Sequence, residues 1–357
     1  SGYESRTQAV AVYEMGSLNI LNDERLDAGW FRGRRVLVVG LGISGFWAAN
    51  WLVKQGASVT VTDVKPKDQL DPGLYRQMIG LHVRLETGGH REISFTEADA
   101  IVISPGVPHD LPLLLTARER GIPVLGEMEL ASRVIEPPIV AVTGTNGKST
   151  VTALLGAMLR DAGCNVFVGG NIGTPLMALA AGEEEADYAV IEVSSFQLDT
   201  AETFSPFISM VLNISPDHLD RYPSYDAYVR SKMKIFANQG RGQYVILNDD
   251  DPKLCSVCPS GAVTVLRYGK ERKAGRHAYM EGGNVMAGRE TPGVFRFSLD
   301  SVKLPGAHNV ENFMGAVLAG LALGIEPHVI RKTLDQFLSL IHISEPTRPL
   351  YISYAVF

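Results

Sequence analysis

The most constraining feature of this chain is Thr143-Gly144-Thr145-Asn146-Gly147-Lys148-Ser149-Thr150, set between the β-branched run IVAVTG and an Ala/Leu-rich stretch predicted helical from Ser149 to Ala162. Strand, glycine turn and helix in that order read as a phosphate loop. Glycines let backbone N–H groups turn inward on an anion, and the helix N-terminus adds partial positive charge. Lys148 supplies a point charge, and the Ser149 hydroxyl can hold Mg²⁺. The step from Gly144 to Gly147 is shorter than in the usual GxxxxGK[ST] loop, so the reading rests on the strand before and the helix after. A loop of this kind belongs at the carboxyl edge of a parallel sheet, which commits the chain to an α/β fold.

A second glycine turn, Gly40-Leu41-Gly42-Ile43-Ser44-Gly45, lies between the run RRVLVVG and a helical stretch from Ser44 to Gln55. Asp63 ends the next strand about 20 residues on, as in a dinucleotide fingerprint. Alone, this would fit NAD and an oxidoreductase. The same turn cradles the pyrophosphate of any nucleotide diphosphate, however, and an NAD enzyme has no use for a second, ATP-type loop at residues 144 to 150. Two phosphate sites in one chain point to a nucleotide-linked substrate beside ATP.

Residues 1–33 are polar and poorly patterned, and Met15 is a plausible true start. The runs RRVLVVG, ASVTVTD, ADAIVISPG and IPVLGEMEL are predicted strands of a Rossmann-like domain over residues 34–136. Pro137-Pro138 makes a stiff linker. A central P-loop-type ATPase domain then covers residues 137–337, with strands IVAVTG, NVFVGG, YAVIEVSS, ISMVLNIS, QYVILND and AVTVLRY in a mostly parallel sheet, and a helix from Val310 to Leu323. The 357 residues suffice for at least two domains, and the 36 glycines and 19 prolines punctuate many short elements without forming a low-complexity tract.

A formal charge of −6 argues against a nucleic-acid partner, which would need a basic stripe. The 3 cysteines cannot build a disulfide framework, and Cys255 and Cys258 form a lone CxxC that reads as two loop thiols. The most apolar stretch, Val36 to Val53, holds three glycines, Ser44 and Asn50 and is no membrane span. A cytoplasmic, small-molecule enzyme fits these bounds.

Three further clusters close predicted strands: Gly169-Gly170-Asn171-Ile172-Gly173-Thr174-Pro175, Glu192-Val193-Ser194-Ser195-Phe196-Gln197-Leu198, and Asn213-Ile214-Ser215-Pro216-Asp217-His218-Leu219-Asp220. Glu192 and His218 thereby fall on the same sheet edge as the phosphate loop, where a carboxylate and an imidazole can ligate a divalent metal. Singly, each is bland, since a strand-end Glu is usually a solvated charge and a lone His usually a structural one. Beside a Lys-Ser loop the pair reads as functional.

From about Arg34 to Leu323 the strings GLGISG, ISPG, GTNGKST, GGNIGTP, EVSSFQL, NISPDHLDRY, SKMKIF and LPGAHNVEN together resemble the Mur ligases, most closely the branch that adds D-glutamate. The alanine-adding branch typically carries a His where Asn146 stands, and folylpolyglutamate synthases lack the GLGISG domain. The resemblance implies an ATP-dependent amide ligase of peptidoglycan precursor synthesis. The carboxylate of UDP-N-acetylmuramoyl-L-alanine takes the γ-phosphoryl of ATP, and the amine of D-glutamate attacks the acyl phosphate. It implies Lys148, His218 and Lys232 as catalytic residues. Gly144, Thr145, Asn146, Gly147, Lys148, Ser149 and Thr150 would bind ATP, with Asn309 and Asn312 at its adenine end.

By the same resemblance two Mg²⁺ ions would be held, one by Ser149 and Glu192, the other by His218 and Lys232, the lysine being carbamylated because a lysine cation cannot bind metal. Read from the sequence alone, Lys232 is a solvated helix lysine beside Lys234. Gly42, Ser44 and Asp63, with Ser104, Pro105, Gly106, Asn171 and His218, would meet the UDP-linked substrate. The enzyme is expected to be a monomer. Competing readings are another amino-acid ligase of this superfamily, acting on a nucleotide-linked or folate-like acid, and the NAD oxidoreductase. After Phe337 the family's third, Rossmann-like domain does not follow. Residues 338–357, LSLIHISEPTRPLYISYAVF, read as a non-native, vector-like tail, and the chain as given is expected to be inactive.

Overall fold

The computed structural model describes residues 28–217, 221–289, 295–298 and 307–343. The expectations for residues 1–27, for His218 and for the tail beyond residue 343 lie outside the described residues. The first unit runs β1 (Arg35–Val39), α1 (Ile43–Lys54), β2 (Ser58–Asp63), α2 (Pro72–Gly80), β3 (Arg84–Thr87), α3 (Glu92–Thr96), β4 (Ala100–Ile103), α4 (Pro112–Glu119), β5 (Val124–Gly126) and α5 (Glu127–Val134). Its five strands lie in the order β3-β2-β1-β4-β5, all parallel. The strand order reverses between β1 and β4, so their carboxyl ends flank the crevice where such sheets take ligands.

The second unit runs β6 (Ile139–Thr143), α6 (Lys148–Asp161), β7 (Val166–Gly170), α7 (Leu176–Ala180), β8 (Tyr188–Glu192), α8 (Ser195–Asp199), β9 (Ile208–Val211), α9 (Tyr225–Met233), β10 (Tyr244–Asn248), β11 (Thr264–Tyr268), β12 (Ala278–Glu281), β13 (Asn284–Ala287), β14 (Phe295–Ser298), α10 (Ala307–Ala322) and α11 (Pro327–Ile343). These strands form a nine-stranded sheet in the order β14-β13-β12-β11-β10-β9-β6-β8-β7. Strands β7 to β11 pair in parallel with their neighbours and with β6, while β12, β13 and β14 add an antiparallel meander at one edge. Helix α11 continues past Phe337 to Ile343. Among the described residues no helix is long and apolar enough to cross a membrane.

Strand β6 is buried along its whole length because helices cover both faces of the sheet. Val140 and Val142 pack with Leu154, Leu155 and Met158 of α6 and with Val317 of α10. Helix α10 is buried nearly all round, which explains its run of apolar residues. Ile139 and Ala141 face the other way, into a core that also holds Met177 and Leu198 and continues into the first unit through Met128 and Leu130.

The seam between the units is polar as well as apolar. Glu129, fully buried, accepts bonds from the backbone N–H groups of Glu202, Thr203 and Phe204 at 3.0, 3.0 and 3.2 Å and from Arg133 Nε at 2.7 Å. That arrangement satisfies a charge that would otherwise be costly to bury. Nearby, Glu127 Oε1 accepts the Met177 N–H at 2.7 Å, and burial pushes its carboxyl up to about 7.

Candidate active site

The carboxyl ends of β6, β8 and β9 carry the site. The chain leaves β6 through Gly144 at φ 155° and enters α6 through Gly147 at φ 85°. Only glycine holds the second conformation without strain, and a Cβ there would also lie 2.5 Å from the side-chain amide of Asn312 on α10. Asn312 is thus packed against the loop, while Asn309 is half-buried one turn earlier. The loop backbone is clasped by Asn213, whose Oδ1 accepts the N–H groups of Thr145 and Asn146 at 3.1 and 2.8 Å.

Lys148 Nζ donates to the carbonyl of Thr145 at 3.0 Å. Ser149, at the first turn of α6, donates its hydroxyl to Glu192 Oε2 at 2.6 Å. Glu192 ends β8 and is buried, and the GGNIG turn wraps it: the Asn171 N–H donates to the Glu192 carbonyl at 2.8 Å and Asn171 Nδ2 to Oε1 at 3.4 Å. At Gly170 a Cβ would lie 2.3 Å from the Glu192 carbonyl oxygen, so that glycine permits the wrap. Two hard oxygens side by side suit Mg²⁺ rather than a metal that needs nitrogen or sulfur. Among the described residues no group of three His, Cys, Asp or Glu side chains gathers as a metal cage.

Lys232 overturns its plain sequence reading. Helix α9 starts at the Ser224 cap, whose hydroxyl accepts the Ala227 N–H, and its inner face turns Lys232 into the protein at 2% exposure. Its Nζ donates to the Gly144 carbonyl at 2.9 Å and lies 4.8 Å from the centre of the Tyr228 ring. Burial, then the charge of Lys148, brings its ammonium down to about 7, against the opposing pull of Asp217 and Glu192. Both site lysines therefore grip successive carbonyls of one loop. Thr150 lies half-buried in the first turn of α6.

The expected residues of the first unit gather at its own switch point and not around the phosphate loop. Gly40 sits at φ 101°, and a Cβ there would lie 2.9 Å from Ser104. Ser104 Oγ donates to the Gly40 carbonyl at 3.2 Å, tying the ends of β1 and β4 together. Asp63 Oδ2 accepts the Leu41 N–H at 2.7 Å and Oδ1 that of Lys65 at 2.9 Å, so this carboxylate fastens the glycine turn. Gly42 is exposed at the cap of α1, Ser44 is half-buried in its first turn, and Gly106 is exposed in the turn that follows Ser104 and the half-buried Pro105. The two glycine turns thus lie at the carboxyl edges of two different sheets.

Residues 34–126 match the Mur ligase MurD-like N-terminal domain and residues 142–320 the Mur ligase middle domain. The chain belongs to the Mur ligase family. Members of this family are ATP- and Mg²⁺-dependent amide ligases of peptidoglycan precursor synthesis. This Mur ligase is 44% identical over 323 residues to the UDP-N-acetylmuramoylalanine–D-glutamate ligase of Desulfosudis oleivorans, across 87% of this chain and 67% of that protein. It is 42% identical over 321 residues to the ligase of the same name from Koribacter versatilis, across 88% and 70%. Its fold is shared with the murein peptide ligase of Psychrobacter arcticus, at a TM-score of 0.56 and 17% identity over 85% of this chain and 68% of that one. It is shared too with the UDP-N-acetylmuramate–alanine ligase of Thermotoga maritima, at 0.51 and 20% over 85% and 68%. Against these findings the oxidoreductase reading is not favoured.

Proposed function

We propose that this Mur ligase joins D-glutamate to UDP-N-acetylmuramoyl-L-alanine through an acyl phosphate made at the expense of ATP. The observation that carries the reading is the meeting of Lys148, the Ser149–Glu192 pair and buried Lys232 at one sheet edge, in a chain 44% identical to a ligase of that name. Phosphoryl transfer between two anions needs positive charge and fixed geometry more than it needs covalent chemistry. The N–H groups at the start of α6 and the Lys148 ammonium hold the phosphates, and Ser149 and Glu192 offer oxygens to one Mg²⁺. The metal supplies neutralisation of the charge that builds on the transferring phosphoryl group. His218 and Lys232 would hold a second ion.

An amine brought down to about 7 is about half unprotonated in neutral solution, and that fraction can attack carbon dioxide. The new N–C bond forms as the amine proton leaves, and the resulting carbamate offers oxygens where the free cation would repel a metal. Gly42, Ser44, Asp63, Ser104 and Gly106 would hold the uridine end, Asn171 the substrate beside Glu192, and Asn309 and Asn312 the adenine. The monomer is proposed as the working unit. ATP and a UDP-activated sugar as substrates put the reaction in the cytoplasm.

Ligand-dependent stabilisation tests the assignment, because a ligand that binds only the folded state raises its stability by RT ln(1 + [L]/Kd). UDP-N-acetylmuramoyl-L-alanine and Mg-ATP should each raise the melting temperature, and NADH should not. A shift with NADH and none with the other two would defeat the proposal.

A further inference from the structure

The phosphate loop is not shaped by its glycines alone. Asn213, two residues beyond β9, pairs with it as a neighbouring strand would. Its Oδ1 accepts the N–H groups of Asn146 at 2.8 Å and Thr145 at 3.1 Å, and its Nδ2 donates to the Asn146 carbonyl at 3.0 Å. Its own carbonyl accepts a further bond from the Thr145 N–H at 3.0 Å. Two residues on, the Ser215 N–H donates to Thr145 Oγ1 at 3.0 Å. The clasp sits where the chain has left β6 and strand pairing no longer fixes the backbone.

This division of bonds decides which donors a ligand can use. The N–H groups of Thr145 and Asn146 are taken by Asn213. Those of Gly147, Lys148, Ser149 and Thr150, at the cap and first turn of α6, have no acceptor within the helix, since the Val151 N–H is the first to reach back, to the Gly147 carbonyl. Four donors pointing out of a helix start form an anion site. Their convergence depends on a loop whose ends swivel at Gly144 and Gly147, both at positive φ.

We propose that Asn213 is a positioning residue that holds the loop in the conformation where those four N–H groups converge on the phosphates of an adenine nucleotide. The assignment rests on the ATP-ligase reading above. Asparagine suits the task because it accepts two bonds and donates one. Aspartate could not donate to the Asn146 carbonyl and would place a negative charge beside the phosphates. Without the clasp the loop must be ordered when the nucleotide binds, and that lost preorganisation appears as weaker phosphate affinity.

The test compares ADP, by calorimetry, with adenosine, by saturation-transfer NMR, on the full chain and on Asn213→Ala and Asn213→Asp, with melting temperatures recorded alongside. Asn213→Ala should bind ADP about tenfold or more weakly, equivalent to about 1.4 kcal/mol, a loss within reach of one or two hydrogen bonds. Asn213→Asp should lose ADP affinity as well, and adenosine binding should hold in both variants. A loss that grows with the phosphates while the base still binds is the signature of positioning, which a merely structural role would not produce. Wild-type ADP affinity in Asn213→Ala, or equal loss of ADP and adenosine, overturns the assignment. If Asn213→Ala does not fold, wild-type ADP affinity in the near-isosteric Asn213→Asp overturns it instead. A wild-type chain that binds neither ADP nor ATP would defeat the ligase reading itself, a different outcome.

Discussion

Glu127→Gln should change how the stability of the protein depends on pH, because this carboxyl is buried at the seam between the two units. Its Oε1 accepts the Met177 N–H at 2.7 Å, while Oε2 meets no donor among the described residues. Burial raises the group from 4.5 to about 7, with the Met177 bond pulling weakly the other way. A folded-state value above the unfolded one means the folded protein binds more protons between them. The stabilisation is therefore full below pH 4.5 and is lost as pH rises through 7. At 1.36 kcal/mol per unit the loss is on the order of 3 kcal/mol. Glutamine keeps the acceptor for Met177 and cannot ionise, but leaves an amide N–H where Oε2 stood, costing about 1–3 kcal/mol at every pH. Urea unfolding of both proteins from pH 4.5 to 8.5 isolates the effect, since other titrating groups cancel in the difference. The variant should start less stable and gain on the wild type by about 3 kcal/mol across that range. Parallel curves would refute the reasoning, for then Glu127 does not titrate differently in the folded protein.

Two further outcomes follow from the site. Gly147→Ala should cost at least about 1–2 kcal/mol of stability from its positive φ alone, and more from the approach of Asn312 at 2.5 Å, with a matching fall in ADP affinity; an unchanged urea midpoint and ADP affinity would show that the loop relaxes freely. In ¹³C-bicarbonate the protein should show a carbamate resonance that grows as pH rises through about 7, where Lys232 gives up its proton, and that vanishes in Lys232→Met. Persistence of the signal in that variant would assign the carbamate elsewhere.

The glycine loops and the strands that feed them were readable in the sequence because their constraints are local. Gly40, Gly144 and Gly147 hold conformations or close approaches that no other residue takes, and the β-branched runs before them are buried on both faces. Strand β3 was missed because its residues, RLET, are mostly polar; Glu86 accepts the Ser94 hydroxyl and pairs with Arg84. The meander β12–β14 was missed for the same reason, since short strands of mixed polarity at a sheet edge lack the period that marks a strand. Lys232 beside Lys234 looks like a solvated pair, and only the packing of α9 separates them, at 2% exposure against a half-exposed side chain. Asn213 was noticed within its string but given no task. Its partners lie 67 and 68 residues away, a distance that no local pattern spans.

The central claim is that the two glycine loops serve two different ligands, and calorimetry on paired variants tests it most directly. UDP-N-acetylmuramoyl-L-alanine and Mg-ATP are each titrated into the wild type, Asp63→Ala and Lys148→Ala. Asp63 fastens the turn on the first sheet and Lys148 lies in the loop on the second, so the losses should cross. Asp63→Ala should lose affinity for the UDP-linked acid and keep Mg-ATP, and Lys148→Ala should do the reverse. If both variants lose the same ligand, or if Asp63→Ala loses Mg-ATP alone, the division of labour between the two sheets is wrong.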